Sequence, residues 1–286
     1  MIKKSENLYQ LSDSTYVFIF PTYEDLGNAG IVATEEGVVI IDNDVRTVDQ
    51  LFATLPQIAA KPVKFVINSH HAFDHTSANC ILAERGVTII ASERCREELI
   101  RWGEENFRLW SGREPYIKKI LEEKGITVAL PHITFDHELH LDLGGERLEL
   151  YYYGHAHTPG DCIIYLPKDQ ILFGGDILWF GFYPNVREAN VPNLIKVADR
   201  ILEFPVKYYI PGHGHISSDR GEVVRMRDFL DFLYKKIGEM VKEGKGFEAV
   251  KSLEGPIANE YQSWRGRRFL TRAIDLIYRS LAESLR

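Results

Sequence analysis

The amino-acid sequence predicts an α+β protein with two β-rich halves, each flanked by helices, and a helical tail. Short β-rich runs alternate with helical patterns over the first ninety residues. A second β-rich stretch extends from Ile133 to Phe173, and from Glu222 onward the pattern is mostly helical. A chain of 286 residues with 45% apolar content buries roughly three-quarters of its surface on folding, so it needs no disulfides for stability.

The first half alternates strands with helices, which predicts a sheet covered by helices. Runs rich in β-branched and aromatic residues predict strands at Tyr16–Phe20, Gly30–Thr34, Gly37–Asp42, Val63–Asn68 and Val87–Ala91. Apolar residues at helical spacing predict helices at Thr47–Ala60 and Thr76–Arg85.

Residues 92–125 differ from their surroundings because they are helical throughout and rich in Glu, Arg and Lys. They also carry Trp102, Phe107 and Trp110. Two interpretations remain open: an inserted arm or lid over a small-molecule pocket, or an ordinary pair of covering helices. Further on, the pattern predicts a helix near Asn193–Leu202 and a strand at Tyr208–Ile210.

Charge and cysteine content limit the functional class. The formal charge is −7, from 34 basic and 41 acidic residues, which argues against a dedicated nucleic-acid binder. The three cysteines, Cys80, Cys95 and Cys162, form neither a disulfide framework nor a zinc module. We expect a cytoplasmic protein with no membrane partner, since no run approaches the ~18 apolar residues of a spanning helix. The low amide content, 15 Asn and Gln, favours a thermophilic source.

Four short segments follow predicted strands and concentrate the polar chemistry of the chain. The segments are Ser69–His75, Gly154–Asp161, Gly174–Asp176 and Pro211–His215. They contain seven of the ten histidines and three aspartates. Imidazole nitrogen and carboxylate oxygen are the ligands of zinc and similar divalent ions. Loops at strand ends can hold such ligands together.

The first segment has an internal geometry that suits a metal site. Side chains two positions apart at an extended strand end point the same way, so His70, residue 72 and Asp74 share a side. His75 turns inward from the bend that follows. This arrangement is typical of a dinuclear site with ions about 3.5–4 Å apart.

In order and spacing, the four segments resemble those of the metallo-β-lactamase superfamily of metal-dependent hydrolases. The resemblance extends from about Tyr16 to His215. It implies a four-layer αββα sandwich over residues 1–218, including the helical insertion at about 92–125. Residues 219–286 are then a helical C-terminal part packed on the same domain.

The resemblance also implies a metal centre with one or two ions per chain, with zinc as the metal and iron or manganese as alternatives. The matching ligands are His70 and His157 for the first site, Asp74, His75 and His213 for the second, and Asp176 as the bridging carboxylate. Asp42 matches an aspartate that orients a ligand histidine. For His215, beside a ligand, we expect a hydrogen bond to the centre, although a plain loop position is equally compatible.

Position 72 departs from the family pattern, which has a histidine where this chain has Ala72. Alanine cannot bind a metal. Ala72 is either natural divergence or a deliberate His→Ala replacement, and the intact remainder of the ligand set favours replacement. His71 should face away, so it would replace the missing ligand only through a bulged backbone. We therefore expect higher occupancy at the second site than at the first.

The intact family chemistry is hydrolysis of a small ester, lactone, β-lactam or phosphoester by metal-activated hydroxide, with Asp74 as the proton-transfer residue. We expect the loop after Asp176 to line the substrate pocket through Trp179, Phe182 and Tyr183, with Tyr183 donating to a developing oxyanion. Asp176, where the main zinc β-lactamases carry cysteine, favours the lactonase, thioesterase and phosphodiesterase branches.

A second interpretation remains open: the chain is a catalytically weak binding or regulatory protein that keeps the fold with an incomplete metal site. We expect a small-molecule substrate and no nucleic-acid partner. The apolar faces of the helical tail are compatible with a homodimer. Arg265, Arg267 and Arg268, beside Trp264, are interpreted as a solvated face or an interface.

Overall fold

Two β-sheets face each other across an apolar core in the computed structural model, which describes residues 1–20 and 25–284. The first sheet has its strands in chain order and is antiparallel from β1 to β5 and parallel from β5 to β8. Its strands are β1 Ile2–Lys3, β2 Leu8–Gln10, β3 Thr15–Phe18, β4 Ala29–Ala33, β5 Val38–Ile41, β6 Val63–Ile67, β7 Thr88–Ser92 and β8 Ile133–Phe135.

The second sheet has five strands in the order β13-β12-β11-β10-β9. Its strands are β9 Glu138–Asp142, β10 Arg147–Tyr151, β11 Ile163–Leu166, β12 Ile171–Phe180 and β13 Tyr208–Gly214. Neighbours from β9 to β12 are antiparallel, whereas β12 and β13 are parallel. Parallel pairing brings the carboxyl ends of β12 and β13 to the same edge.

Ten helices, counted over the described residues, accompany the sheets. They are α1 Val48–Ile58, α2 Phe73–Thr76, α3 Asn79–Glu84, α4 Glu93–Arg113, α5 Pro115–Lys124, α6 Val191–Ile201, α7 Arg220–Lys242, α8 Phe247–Lys251, α9 Glu254–Glu260 and α10 Arg267–Ser284. Across residues 1–20 and 25–284, none of these helices combines the length and apolarity required to cross a membrane.

Alternation along β5 shows how the sequence specifies the layers. Val39 and Ile41 pack in the core between the sheets, whereas Val38 and Ile40 pack against Leu51 of α1 on the opposite face. The second sheet is covered in the same way by α6, α7 and α10. The chain therefore folds as the αββα sandwich that the resemblance implied. We divided the chain into residues 1–218 and 219–286. Residues 21–24 of the first range and 285–286 of the second lie outside the described part.

Three local predictions were wrong. The helix predicted at Thr76–Arg85 is divided into α2 and α3. The Gly174–Asp176 and Pro211–His215 segments were expected after strands, but Asp176 lies within β12 and His213 within β13. Register shifts interrupt the β12–β13 pairing on both sides of Gly175, the second of them between Gly175 and Trp179, where Asp176 lies, and such bulges turn side chains out of the regular alternation.

The helical insertion at 92–125 forms α4 and α5, which pack on the domain. Ser92 caps α4 by accepting a hydrogen bond from the Cys95 amide, and its hydroxyl donates to the Gly160 carbonyl at 2.6 Å. Phe73 of α2 stacks on Trp110 with ring centroids 5.0 Å apart and contacts Phe107 edge to face at 5.1 Å. The insertion is therefore anchored beside the segment that carries Asp74.

Candidate metal centre

All six predicted metal ligands converge on one buried cluster. They come from five places in the chain: His70 after β6, Asp74 and His75 on α2, His157 between β10 and β11, Asp176 in β12 and His213 in β13. Only the fold brings these segments together, since they span more than half of the chain.

The carboxylate of Asp176 lies between two groups of imidazoles. Its Oδ2 atom is 3.3 Å from His157 Nε2 and 3.8 Å from His70 Nε2. Its Oδ1 atom is 3.3 Å from His75 Nε2 and 3.4 Å from His213 Nε2. One carboxylate thus presents a separate oxygen to each group, which is the arrangement that a bridging ligand requires.

The group on the Oδ1 side is richer in donors. Asp74 Oδ2 lies 3.2 Å from His213 Nε2 and 3.8 Å from His75 Nε2. This side therefore offers two carboxylates and two imidazoles. Within the described part of the chain, the Oδ2 side offers only His70, His157 and Asp176.

Several of these donor atoms are buried without a hydrogen-bond partner among the described residues, namely His70 Nε2, His75 Nε2 and Asp176 Oδ1. A buried polar atom left without a partner costs about 1–3 kcal/mol, so three such atoms in one cluster favour a site that coordinates a cation. Two triplets, His70 with His75 and Asp176, and Asp74 with His75 and His213, bring their ligand atoms within 4.8 Å of one another. The donor set fits a divalent cation that accepts nitrogen and oxygen.

Electrostatics inside the cluster keep the carboxylates ionised. Burial raises the pKa of Asp74, but His75 and His213 outweigh it and leave the pKa below its usual value. The pKa of Asp176 is lowered as well, with burial opposing the effect of His213 and His75. Burial and the neighbouring His75 and His157 lower the pKa of His70 well below normal, so its imidazole is neutral and available as a ligand.

Asp42, which directly follows β5, contacts the ligand His75 directly and the ligand His70 through Ser69. Its Oδ2 atom is 2.9 Å from His75 Nδ1 and accepts a hydrogen bond from Ser69 Oγ at 2.7 Å, while Oδ1 accepts from the Ser69 amide. Ser69 Oγ lies 3.0 Å from His70 Nδ1 and extends the chain of contacts to a ligand of the other group. Asp42 has φ +58°, an unusual conformation for a residue other than glycine, which aims its carboxylate into the cluster.

We expect Asp42→Asn to weaken metal binding by roughly 10–100-fold, because the amide loses the charge that orients His75 and, through Ser69, His70. Metal titration against a competing chelator measures the loss. Asp49→Asn is the matched control, since Asp49 is exposed and pairs with Lys124 on the surface. Unchanged affinity together with a lowered Tm would assign Asp42 a purely structural role.

Ala72 precedes the first turn of α2 and lines the cavity in front of the cluster. His71, beside it, is turned away: its Nε2 atom is 3.3 Å from Glu188 Oε2, and its ring lies nearly perpendicular to that of His70. His71 thus pairs with Glu188 and belongs to neither triplet. Burial raises the pKa of Glu188, but the hydrogen bond from His71 prevails and lowers it to about 2.

Two glycines in the motif segments leave room for the cluster. A Cβ atom on Gly212 would collide with Asp176 Oδ1. Gly175 has φ +50°, and a Cβ there would come within 2.6 Å of Ser69 Oγ. The glycines before Asp176 and His213 are therefore required by close approach of the two strands to the ligands.

A cavity of about 310 Å³ opens onto the cluster, and Asp74, His157, Asp176 and His213 form part of its wall. Of the three predicted pocket residues, only Trp179 lines it. The Trp179 indole stacks on His213 with centroids 4.3 Å apart and donates a hydrogen bond to the Asp176 carbonyl at 2.9 Å. Trp179 therefore packs against one ligand and supports the backbone of another.

Phe182 and Tyr183 were expected in the pocket, but the structure buries both in the core beneath α7 and α10. The Tyr183 hydroxyl donates to the Tyr261 carbonyl at 3.3 Å, and the ring packs against Phe229 and Trp264. The prediction of an oxyanion donor at Tyr183 was therefore wrong. Register shifts in β12 direct the chain after Asp176 under the helical tail instead of past the cavity.

His215 lies away from the cluster, with its side chain 49% exposed and its Nε2 atom 4.0 Å from Glu222. The expected hydrogen bond to the centre is not formed. His155 also faces elsewhere, since its Nε2 atom is 2.6 Å from the Glu188 carbonyl. Both lie two residues from a ligand, where strict alternation would place them on the ligand's side, but neither segment is regularly extended, since residues 154–158 form bends and Gly214 has φ +105°.

Sequence reasoning missed Ser69, Glu188 and a set of arginines around the cavity. Ser69 directly precedes His70, so its position in the sequence could have indicated a role beside the ligands. Arg113, Arg187 and Arg272 lie far apart in the sequence, and nothing in their positions indicated that they line one cavity. Arg268 was interpreted as part of a solvated face or interface, whereas it lines this cavity.

The sandwich and its histidine–aspartate cluster define a class of metal-dependent proteins, and comparison with known sequences agrees. A model of the Metallo-beta-lactamase superfamily matches residues 22–213, more than half of the chain. The chain therefore belongs to the metallo-β-lactamase superfamily.

Individual relatives are distant. The chain is 26% identical over 221 residues to the Metallo-beta-lactamase type 2 of Bacteroides fragilis, covering 73% of this chain and 79% of that protein. It is 25% identical over 158 residues to the 2,4-dinitroanisole O-demethylase subunit alpha of Nocardioides sp. (strain JS1661), covering 54% and 41%. A metallo-beta-lactamase structure from Pontibacter korlensis shares the fold, with TM-score 0.62 and 22% identity over 78% of this chain and 98% of that one.

Proposed function

We propose that this chain is a metal-dependent hydrolase of a small ester, lactone, β-lactam or phosphoester substrate, with zinc as its metal and iron or manganese as alternatives. The observation that carries the proposal is Asp176, whose two oxygens face separate pairs of imidazoles in a buried cluster that opens onto a cavity. The superfamily assignment supports hydrolysis as the general chemistry.

His75, His213, Asp74 and Asp176 would hold the favoured ion, and His70 and His157 would share Asp176 with the other. When bound, a divalent metal supplies Lewis acidity that lowers the pKa of water toward ~7 and stabilises developing negative charge. Asp74 lines the cavity and is ionised, so its carboxylate orients the attacking water, takes its proton and passes it to the leaving group.

The incomplete first site supports unequal occupancy. Loss of a residue that only orients a ligand already weakens metal binding roughly 10–100-fold, and loss of a ligand costs at least as much. Ala72 removes a ligand from the first site, while all four donors of the second are in place. We propose one ion per chain at ordinary metal concentrations, bound mainly by the second site.

The cavity supports a small substrate. Its volume of about 310 Å³ is at the lower end of the range for small-molecule sites, roughly 300–1,000 Å³. Its wall includes Asn106, Trp110 and Arg113 from α4, so the insertion shapes the entrance. Relatives named metallo-beta-lactamase place β-lactams among the substrates to test, beside the lactones and phosphodiesters that the bridging aspartate favours.

Metal content and hydrolysis, measured on the same preparation, test the proposal. We expect about one ion per chain by elemental analysis after loading with Zn²⁺, Mn²⁺ or Fe²⁺, because one site is complete. We also expect cleavage of at least one substrate in a panel of esters, lactones, a β-lactam and bis(4-nitrophenyl) phosphate. Chelation should abolish the activity and the matching metal should restore it. A protein that binds no metal and cleaves nothing after loading would refute the proposal.

Ala72 also supports the second candidate function, a binding or regulatory protein that retains the fold with an incomplete centre. Its expected result is bound metal without turnover of any substrate in the panel. The two candidates also differ in their response to repair of position 72, because only a hydrolase gains activity from the added ligand.

A further inference from the structure

Four arginines from three separate parts of the chain line the cavity over the metal centre. Arg113 ends α4 of the insertion, and Arg187 lies between β12 and α6. Arg268 and Arg272 lie one turn apart on α10, beyond the residues that the superfamily model matches. In a chain of net charge −7, four arginines around one cavity are a specific feature of the site, although four carboxylates, those of Asp25, Asp74, Asp176 and Glu188, line it as well.

The acidic side chains at the cavity mouth are already paired. Asp25 lies 3.5 Å from Arg46, and Glu188 is held by Arg187 at 2.8 Å and His71 at 3.3 Å. Over residues 1–20 and 25–284, neither Arg113 nor Arg272 has a carboxylate oxygen within 4.0 Å; Arg113 packs over the Trp110 ring. These two guanidinium groups therefore keep their N–H donors available to a ligand.

The arginines are close enough to repel one another. Burial lowers the pKa of Arg272, and the charges of Arg187, Arg268 and Arg113 lower it further. Like charges held together destabilise the ligand-free state, and a bound anion relieves the repulsion. Such an arrangement is typical of a site that binds an oxyanion, because the planar guanidinium fork matches carboxylate and phosphate oxygens.

We propose that the substrate carries an anionic oxyanion group, a carboxylate or a phosphate, apart from the bond that is cleaved, and that Arg113, Arg187 and Arg272 hold this group in the cavity. That the bound molecule is a substrate rests on the proposed hydrolase function. The existence of the anion site rests on the arginines alone. Arg272 also gives the C-terminal helix a role in substrate selection.

Two esters with the same leaving group test the proposal on the metal-loaded protein. Mono(4-nitrophenyl) glutarate carries a terminal carboxylate, and 4-nitrophenyl butyrate is neutral. We expect higher kcat/KM for the glutarate ester, with Arg272→Gln or Arg113→Gln reducing the preference by about tenfold through KM, the effect of one partly solvated charge-assisted hydrogen bond. Arg279→Gln is the control, since Arg279 lies on α10 outside the cavity wall and pairs with Asp275 at 2.8 Å.

Calorimetric binding of free glutarate and of inorganic phosphate separates this inference from the proposed function. If neither ester is cleaved but either anion binds the unmodified protein about tenfold more tightly than Arg272→Gln, the anion site stands while hydrolysis of these two esters fails, and the full substrate panel then decides the hydrolase function. The tighter of the two anions identifies the group as carboxylate or phosphate. If the esters are cleaved with equal kcat/KM and both arginine variants match Arg279→Gln in every assay at equal Tm, the anion site is overturned and the hydrolase stands.

Discussion

Replacing Ala72 with histidine is expected to raise metal content from about one ion per chain to two, and to raise hydrolysis of the best substrate by orders of magnitude. Ala72 lines the cavity in front of the cluster. An imidazole there adds a third histidine to the site that now has His70, His157 and the Oδ2 atom of Asp176. Because α2 begins after residue 72, the added side chain leaves the helical hydrogen bonds unchanged.

Elemental analysis and the substrate panel, run in parallel on Ala72→His and Ala72→Gln, measure this prediction. Glutamine at the same position is similar in length but is a poor ligand for zinc, so it controls for the added volume. If both variants retain one ion and the original activity, the first site is not a metal site in this protein. If Ala72→His binds two ions but cleaves nothing, the binding or regulatory function gains support.

The concentration of histidine and aspartate in four short segments is a local chemical signal, and the resemblance to the superfamily selected the ligands among them. Histidine and aspartate are rarely buried without a partner, and the short segments around His70, His157 and His213 placed them after strands or within strand-rich regions. The layers were predictable for a similar reason. The four consecutive apolar residues of β5 predict a strand that is buried on both faces, as a sheet between two layers requires.

The arginines and the aromatic residues after Asp176 were not predictable, because their positions depend on contacts that the sequence does not display. The register shifts in β12 decide that Tyr183 enters the core. The packing of α10 on α7 decides that Arg272 reaches a cavity whose other walls come largely from residues 25–213. A charged residue in isolation is usually solvated, and only the fold shows four of them around one opening.

The position of the ion can be determined by removing one ligand from each side of Asp176. We expect His213→Gln to lose most of the bound metal and all hydrolysis, because His213 is close to both Asp74 and Asp176. His157→Gln, by contrast, should retain about one ion per chain, since it leaves the four donors of the second site intact. Glutamine preserves much of the side-chain volume beside Trp179, which stacks on His213.

Metal content of the two variants, compared at equal Tm, decides between the sites, and the activity of His157→Gln then reports what the first site contributes. Retention of both metal and turnover in His157→Gln would show that a single ion on the Asp74 side suffices for catalysis. The reverse pattern, with metal lost from His157→Gln and kept by His213→Gln, would contradict second-site occupancy. It would mean that three ligands around Asp176 Oδ2 bind more strongly than four around Oδ1, with a donor such as water completing the site that Ala72 leaves open.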